Sequence, residues 1–150
     1  MSAAPPPILY RPMVVADHAA LVELLRTSPG VTLRDADSAA AVARYLARNP
    51  GLSYVALADD ALVGVLMAGH DGRRGYLQHL IVVPAHRRRG IGATLIAHCL
   101  GALAAEGIAK SHVEVLADNA EGLAYWARRG WIRRDDLVRF SYVGAGGENA

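Results

Sequence analysis

The sequence predicts an α+β fold: a mixed, mostly antiparallel sheet of about seven strands, about four helices, and one parallel strand pair at the centre of the sheet. Three observations predict it. Short apolar runs separated by Asp59-Asp60 and by the DGRRG turn read as antiparallel hairpins. The run YLQHLIVV then passes through an arginine-glycine turn into an apolar helical segment and on to SHVEVL, a crossover that requires a parallel pair. Finally, WIRRDDLVRFSYV reads as a closing hairpin about Asp135-Asp136. With 150 residues, 53% of them hydrophobic, the chain suffices for one domain over 1–150 with a sizeable core, flanked by flexible tails at 1–7 and 144–150.

In chain order, ILYR follows the proline run as the first strand. Asp17 stands at the start of a helix through DHAALVELLRT, where apolar residues recur at helical spacing. SPGVTLRDADS breaks that helix. AAAVARYLAR forms the second, capped by Asp37 or Ser38 and ended by Asn49-Pro50-Gly51. SYVALAD and LVGVLMAGH are strands on either side of Asp59-Asp60, and Pro84 stops the strand YLQHLIVV. The third helix runs from about Gly90 to Glu106, closed by Gly107. The fourth, NAEGLAYWARR, has Gly130 at its C-terminal cap position.

Composition excludes several function classes. Lys and Arg number 16 against 14 Asp and Glu, so basic charge is clustered rather than spread over a face. That speaks against a nucleic-acid partner. The second cluster, Arg128-Arg129 with Arg133-Arg134, reads as a helix end and a solvated strand. The single cysteine, Cys99, allows no intramolecular disulfide, and LIAHCLGAL sets it on the buried face of a helix. Six scattered histidines lack the i, i+4 pair plus carboxylate of a zinc site, so no metal is expected. No apolar run reaches the ~20 residues that cross a bilayer. MSAAPPPILYRP lacks a basic region followed by an apolar core, so the expectation is a cytoplasmic protein without a membrane partner.

The chemistry concentrates in HRRRGIGATL, residues 86 to 95. A strand feeding a tight glycine turn into a helix aims several unpaired backbone N–H groups at one point, and the helix dipole adds partial positive charge there. Arg87, Arg88 and Arg89 supply full charges beside it. Gly90 and Gly92 let backbone approach a ligand without an intervening side chain. The expected partner is a compact polyanion such as a phosphate group. A dinucleotide-binding G-x-G-x-x-G would need glycine where Leu95 stands, and the Gly-Lys-Ser/Thr of a P-loop is absent.

These residues resemble the GNAT superfamily of acyl-CoA-dependent N-acetyltransferases. The signature Arg/Gln-x-x-Gly-x-Gly/Ala is met by Arg87-Arg88-Arg89-Gly90-Ile91-Gly92, after a strand ending in LIVVP. The likeness continues through VEVLADN to Gly130-Trp131, where the family usually has Gly-Phe. It covers residues 76 to 131 in motif and nearly the whole chain in layout. The nearest motif type is the ribosomal-protein N-terminal acetyltransferase. The resemblance implies acetyl-CoA as acetyl donor, with its pyrophosphate on the backbone N–H groups of residues 88 to 93. Arg87, Arg88, Arg89, Gly90, Ile91, Gly92 and Ala93 are thus implied as the phosphate-binding set. It also implies a pantetheine arm that pairs, like an added strand, with Leu80, Ile81 and Val82. Asn119 matches a position that commonly contacts this co-substrate, and it equally suits a helix N-cap.

Acetyl transfer needs a neutral amine, hence a general base. Glu114 is the first candidate, because alternation in SHVEVL turns it away from Val113 and Val115 and it matches the base of the N-terminal acetyltransferases. His112 shares its face as a relay candidate. Tyr76 and Gln78 point one way on YLQHLIVV and His79 the other, with His79 as the backup base. The family often places a tyrosine, as proton donor to the leaving thiolate, four residues before Gly-Phe. Trp126 occupies that place here, and Tyr125 is one residue earlier, about 100° round the helix. Tyr125 is the candidate acid. Trp126 can pack on the pantetheine or donate its indole N–H but cannot supply a proton as an acid.

Specificity is expected from TSPGVTLRDADS, where Asp35 and Asp37 suit a cationic amine, and from the polar turn of His70, Asp71, Arg73 and Arg74. The expected acceptor is a primary amine of a small molecule or a protein N-terminus. The alternative is an acyl-CoA-binding regulatory or scaffolding domain with little turnover, and a homodimer through the C-terminal strands stays open.

Overall fold

Alternating and continuous apolar runs build a five-stranded sheet in the computed structural model, which describes residues 4–29 and 31–150. Residues 1–3 of the expected tail, and Gly30 of the expected specificity segment, lie outside the described residues. The chain divides between His112 and Val113 into two units.

The first unit carries β1 (Ile8–Pro12), α1 (His18–Thr27), α2 (Ala39–Arg48), β2 (Tyr54–Ala58), β3 (Ala61–His70), β4 (Gly75–Val82) and α3 (Ile91–Ala105). β5 (Ser111–Val113) completes a sheet whose spatial order follows the sequence, β1-β2-β3-β4-β5. The first three pairings are antiparallel, with Tyr10 opposite Ala56, Val55 opposite Val65, and Ala68 opposite Leu77. The connection from β4 through α3 to its neighbour β5 is the predicted crossover, which makes the sheet mixed.

β3 is buried from Val63 to Gly69 because both of its faces are covered. On one face Val65 and Met67 join Val55 of β2, Leu21, Leu24 and Leu25 of α1, and Val42 and Leu46 of α2. On the other lies α3. Gly64 of β3 makes room there: a side-chain carbon at that position would meet Ile91 Cγ2 at 3.1 Å and Leu95 Cδ1 at 3.3 Å. Cys99, also on α3, is buried with its thiol on the Leu66 carbonyl at 3.7 Å. Burial pushes that thiol up to about 12.

The entry to α1 is fixed by Asp17. Its carboxylate accepts two hydrogen bonds from the Arg11 guanidinium, both 2.8 Å, and one from the Val14 N–H at 2.9 Å. Burial alone would raise its pKa, but these donors outweigh burial and hold the carboxyl below its usual range. A lowered folded-state pKa stabilises the fold above the unfolded-state value near 4 and stops doing so as pH falls through the folded value. Asp17→Ala is expected to cost about 1–3 kcal/mol at pH 7. In urea unfolding, the gap between wild type and variant should narrow once the pH falls below about 4.

The second unit holds α4 (Ala120–Arg128). Asn119 caps it through its side chain, which accepts the Gly122 N–H at 3.0 Å, and Gly130 follows at φ 82°. Trp126 is buried against Trp131, with ring centroids 4.6 Å apart.

Two expectations are corrected here. The sheet has five strands, not about seven: the turn at Asp135-Asp136 forms, but no ladder flanks it among the described residues. The carboxylates of Asp135 and Asp136 pair back onto Arg133 at 2.7 Å and Arg134 at 2.9 Å. Ile132, Val138, Phe140 and Tyr142 stay exposed, so a hairpin there would bury no face to stabilise it. For the same reason β5 ends the sheet order, and the crossover pair is not central. No helix among the described residues is long and apolar enough to cross a membrane.

Candidate active site

The arginine-glycine turn is built as its residue types require. Pro84–His86 form one 3-10 turn after β4, Arg88 and Gly90 then take positive φ of 63° and 74°, and α3 begins at Ile91. The first internal hydrogen bond of α3 is from the Thr94 N–H to the Gly90 carbonyl at 3.0 Å. The N–H groups of Ile91, Gly92 and Ala93 therefore have no helical partner and point out of the helix start. The three arginines divide their labour. Arg87 donates to the Val82 carbonyl at 3.1 Å, and Arg89 bonds to His86 Nδ1 at 2.9 Å and to the Pro6 carbonyl at 3.0 Å. Both brace the turn. Arg88, exposed and without a hydrogen bond or ion pair among the described residues, is the free cation beside the helix N-terminus.

Just before the turn, β4 is bulged. Val65 lies opposite Ile81 and Met67 opposite Gln78, so Leu66 alone faces both His79 and Leu80. His79 takes a positive φ of 58° at this bulge. Beyond it Ile81 and Val82 pair with Val65 and Gly64 on the β3 side. The other neighbour, β5, is three residues long, and the segment before it reaches β4 at Gly75, whose N–H donates to the Lys110 carbonyl at 3.0 Å. Leu80, Ile81 and Val82 lie further along β4 than that contact, next to the turn.

The bulge also corrects an expectation. Strict alternation would send Gln78 and His79 to opposite faces. Instead both line one cavity of about 430 Å³, together with Asp37 and with Arg44, Tyr45 and Arg48 of α2. In it, the Asp37 carboxylate lies 2.8 Å from His79 Nε2. An ionised carboxylate only accepts, so Nε2 carries a proton; in the neutral form of the ring Nδ1 is then the acceptor. Asp37 is itself buried and held: its other oxygen accepts the Arg34 N–H at 2.9 Å, and its carbonyl lies 2.8 Å from His18 Nε2. Ser38, not Asp37, caps α2, through the Ala41 N–H at 3.2 Å. The Tyr45 hydroxyl is buried without a hydrogen-bond partner. Burial pushes it up to about 12, against a smaller opposing pull from the nearby Gln78 amide.

The remaining predicted residues lie elsewhere. In the first unit the His112 ring packs tilted on Tyr76, with centroids 5.8 Å apart. Asp71 accepts the N–H groups of Arg73 and Arg74, both at 2.8 Å, so the HDGRRG turn is closed on itself. In the second unit Glu114 stands one residue past the end of β5, is exposed, and is ion-paired with Arg139. Tyr125 lies under the Arg129 guanidinium at 4.6 Å and edge-on to Trp126.

Sequence reasoning weighed Asp37 and His79 separately and did not see them as a pair. They are 42 residues apart, and no local pattern joins them. Arg44, Tyr45 and Arg48 were missed although a signal existed: two arginines and a tyrosine share one side of AAAVARYLAR, a helix without a single acidic residue.

Comparison with known proteins bears on the family and the fold. The profile of the family described as "Acetyltransferase (GNAT) family" matches residues 18–131. An acetyltransferase of Pectobacterium atrosepticum is 40% identical over 78 residues, which are 52% of this chain and 55% of that protein; the match thus spans about half of the relative's length. Two solved structures share the fold. Ard1 from Thermoplasma volcanium superposes with a TM-score of 0.73 at 17% identity, over 83% of this chain and 82% of its own. The PaiA N-acetyltransferase from Thermoplasma acidophilum, solved in complex with coenzyme A, gives 0.71 at 20% identity, over 82% and 88%. The chain belongs to the acetyltransferase (GNAT) family, a family of acyltransferase enzymes.

Proposed function

We propose that the protein transfers an acetyl group from acetyl-CoA to a primary amine, of a small molecule or a protein N-terminus, by direct attack assisted by a general base. The observation that carries this reading is the start of α3, where unpaired N–H groups and the neighbouring Arg88 offer positive charge suited to a compact anion. Coenzyme A brings a pyrophosphate of that size and charge. The backbone of Leu80, Ile81 and Val82, at the end of β4 beside the turn, is the proposed partner of its pantetheine amides, and the PaiA neighbour solved with coenzyme A supports the same donor.

The base we favour is His79. Its imidazole is oriented by a buried carboxylate and keeps Nδ1 free to take one proton from the incoming ammonium. The amine lone pair then forms the new C–N bond at the thioester carbonyl, the C–S bond breaks with its electrons on sulfur, the nitrogen gives up its second proton to leave the neutral amide, and the thiolate takes up a proton. Glu114 is the second candidate base; to act, its carboxylate must first leave Arg139. Tyr125 is the proposed proton donor to the thiolate, and Asn119 and Trp126 the proposed further contacts of the co-substrate.

The test is calorimetric titration with acetyl-CoA followed by turnover with a panel of amines. Saturable binding with Kd in the micromolar range and release of free coenzyme A dependent on the amine are expected. Binding without turnover on any amine would favour the scaffolding alternative. No binding by the folded protein would remove the donor assignment.

A further inference from the structure

The cavity beside His79 has two ends with different chemistry. At one end the Asp37 carboxylate is committed to the imidazole and to the Arg34 N–H. At the other stand Arg44 and Arg48, four residues apart and so neighbours on one face of α2. Neither makes a hydrogen bond or ion pair among the described residues. Like charges at this spacing repel, and α2 contains no Asp or Glu to offset them. Arg48, in the last turn, also complements the helix dipole; Arg44 lies a turn earlier, where that explanation lapses. Tyr45, between them in sequence, lines the same cavity with its hydroxyl buried against Gly69 of β3. At about 430 Å³ the cavity has the size of a whole small molecule rather than of a single side chain.

We propose that the amine acceptor is a small molecule carrying a carboxylate, an amino acid or a close analogue, held with its carboxylate between Arg44 and Arg48 and its amine toward His79. Two guanidinium groups one helical turn apart offer a carboxylate paired, planar donors that a neutral amine cannot use. This inference rests on the acetyltransferase reading and decides between its two acceptor classes. A peptide N-terminus carries its nearest fixed carboxylate at a distance set by its own sequence, so the arginines would gain nothing constant from it.

The experiment compares matched acceptors at saturating acetyl-CoA: free amino acids, the same compounds as carboxamides, the corresponding decarboxylated amines, and short peptides with a free N-terminus. The acids are expected to show kcat/KM at least tenfold above their carboxamides. The double variant Arg44→Gln, Arg48→Gln should erase most of that preference through KM for the acid, with kcat far less affected. Thermal melting checks that the variant folds, and the wild-type comparison decides even if it does not. Equal turnover of acid and carboxamide, preference for peptides, or a preference untouched by the double variant would overturn the proposal. So would acetyl-CoA binding with no acetylation of any carboxylate-bearing amine, a result that leaves the donor assignment intact. Failure of acetyl-CoA to bind would instead remove the reading on which the proposal rests, and the proposal with it.

Discussion

His79→Ala is expected to lower kcat by about 10²–10⁴-fold, the range that a positioned general base supplies. The argument rests on geometry. The imidazole is fixed at a bulge in β4, one of its nitrogens is tied to a buried carboxylate at 2.8 Å, and the other is the nitrogen proposed to accept the proton. Binding of acetyl-CoA should change little, because the anion turn and the edge of β4 do not depend on that side chain. Asp37 is a positioning residue in this scheme. Asp37→Asn keeps an oxygen for the Arg34 N–H but weakens the orientation of the ring, so kcat should fall with KM for acetyl-CoA nearly unchanged. Glu114→Gln, by contrast, should reduce kcat by less than about fivefold if His79 is the base. Steady-state kinetics on the three variants separates the assignments. Large loss in the Glu114 variant with a mild effect at His79 would transfer the role to Glu114.

Gly92→Glu is expected to weaken acetyl-CoA binding by at least 100-fold, about 2.7 kcal/mol. Gly92 is the second residue of α3, among the N–H groups left free at its start. A glutamate there puts negative charge and bulk where the pyrophosphate is proposed to sit. The same carboxylate is favourable to the helix itself, since acidic residues stabilise an N-terminal turn by about 0.3–1 kcal/mol. The variant should therefore lose its ligand while its melting temperature holds or rises slightly. Calorimetry beside thermal melting reads both. Retained binding in a stable variant would move the anion elsewhere.

The parts legible in the sequence were those whose physics is local. Gly90 announces a backbone that must turn left-handed before a helix, and the structure gives it φ 74°. The four helices follow from apolar spacing and caps, as do the antiparallel strands up to β4. What failed was non-local. The run after Trp131 has the composition of two strands, but composition does not say whether a partner surface exists. Among the described residues Ile132, Phe140 and Tyr142 have none. Alternation placed Gln78 and His79 on opposite faces, and one inserted residue opposite Leu66 brought both to the same cavity. A bulge leaves no mark in the sequence when the residue that adopts positive φ is a histidine rather than a glycine. The pairing of His79 with Asp37 was hidden for the same reason: it exists only after α2 and β4 are folded onto each other.

The sheet's two covered faces have a consequence for how this protein can change. Gly64 seats α3, and with it the anion turn, on one face, while α2 packs with Val65 and Met67 on the other and contributes Ala41, Arg44, Tyr45 and Arg48 to the cavity. On the proposed assignment, substitutions on that side of α2 redraw the acceptor side without touching the residues proposed to seat the donor. The two halves of the reaction would then be separately evolvable. A combinatorial library confined to positions 41, 44 and 48 would explore new acceptors on an unchanged acetyl-donor platform.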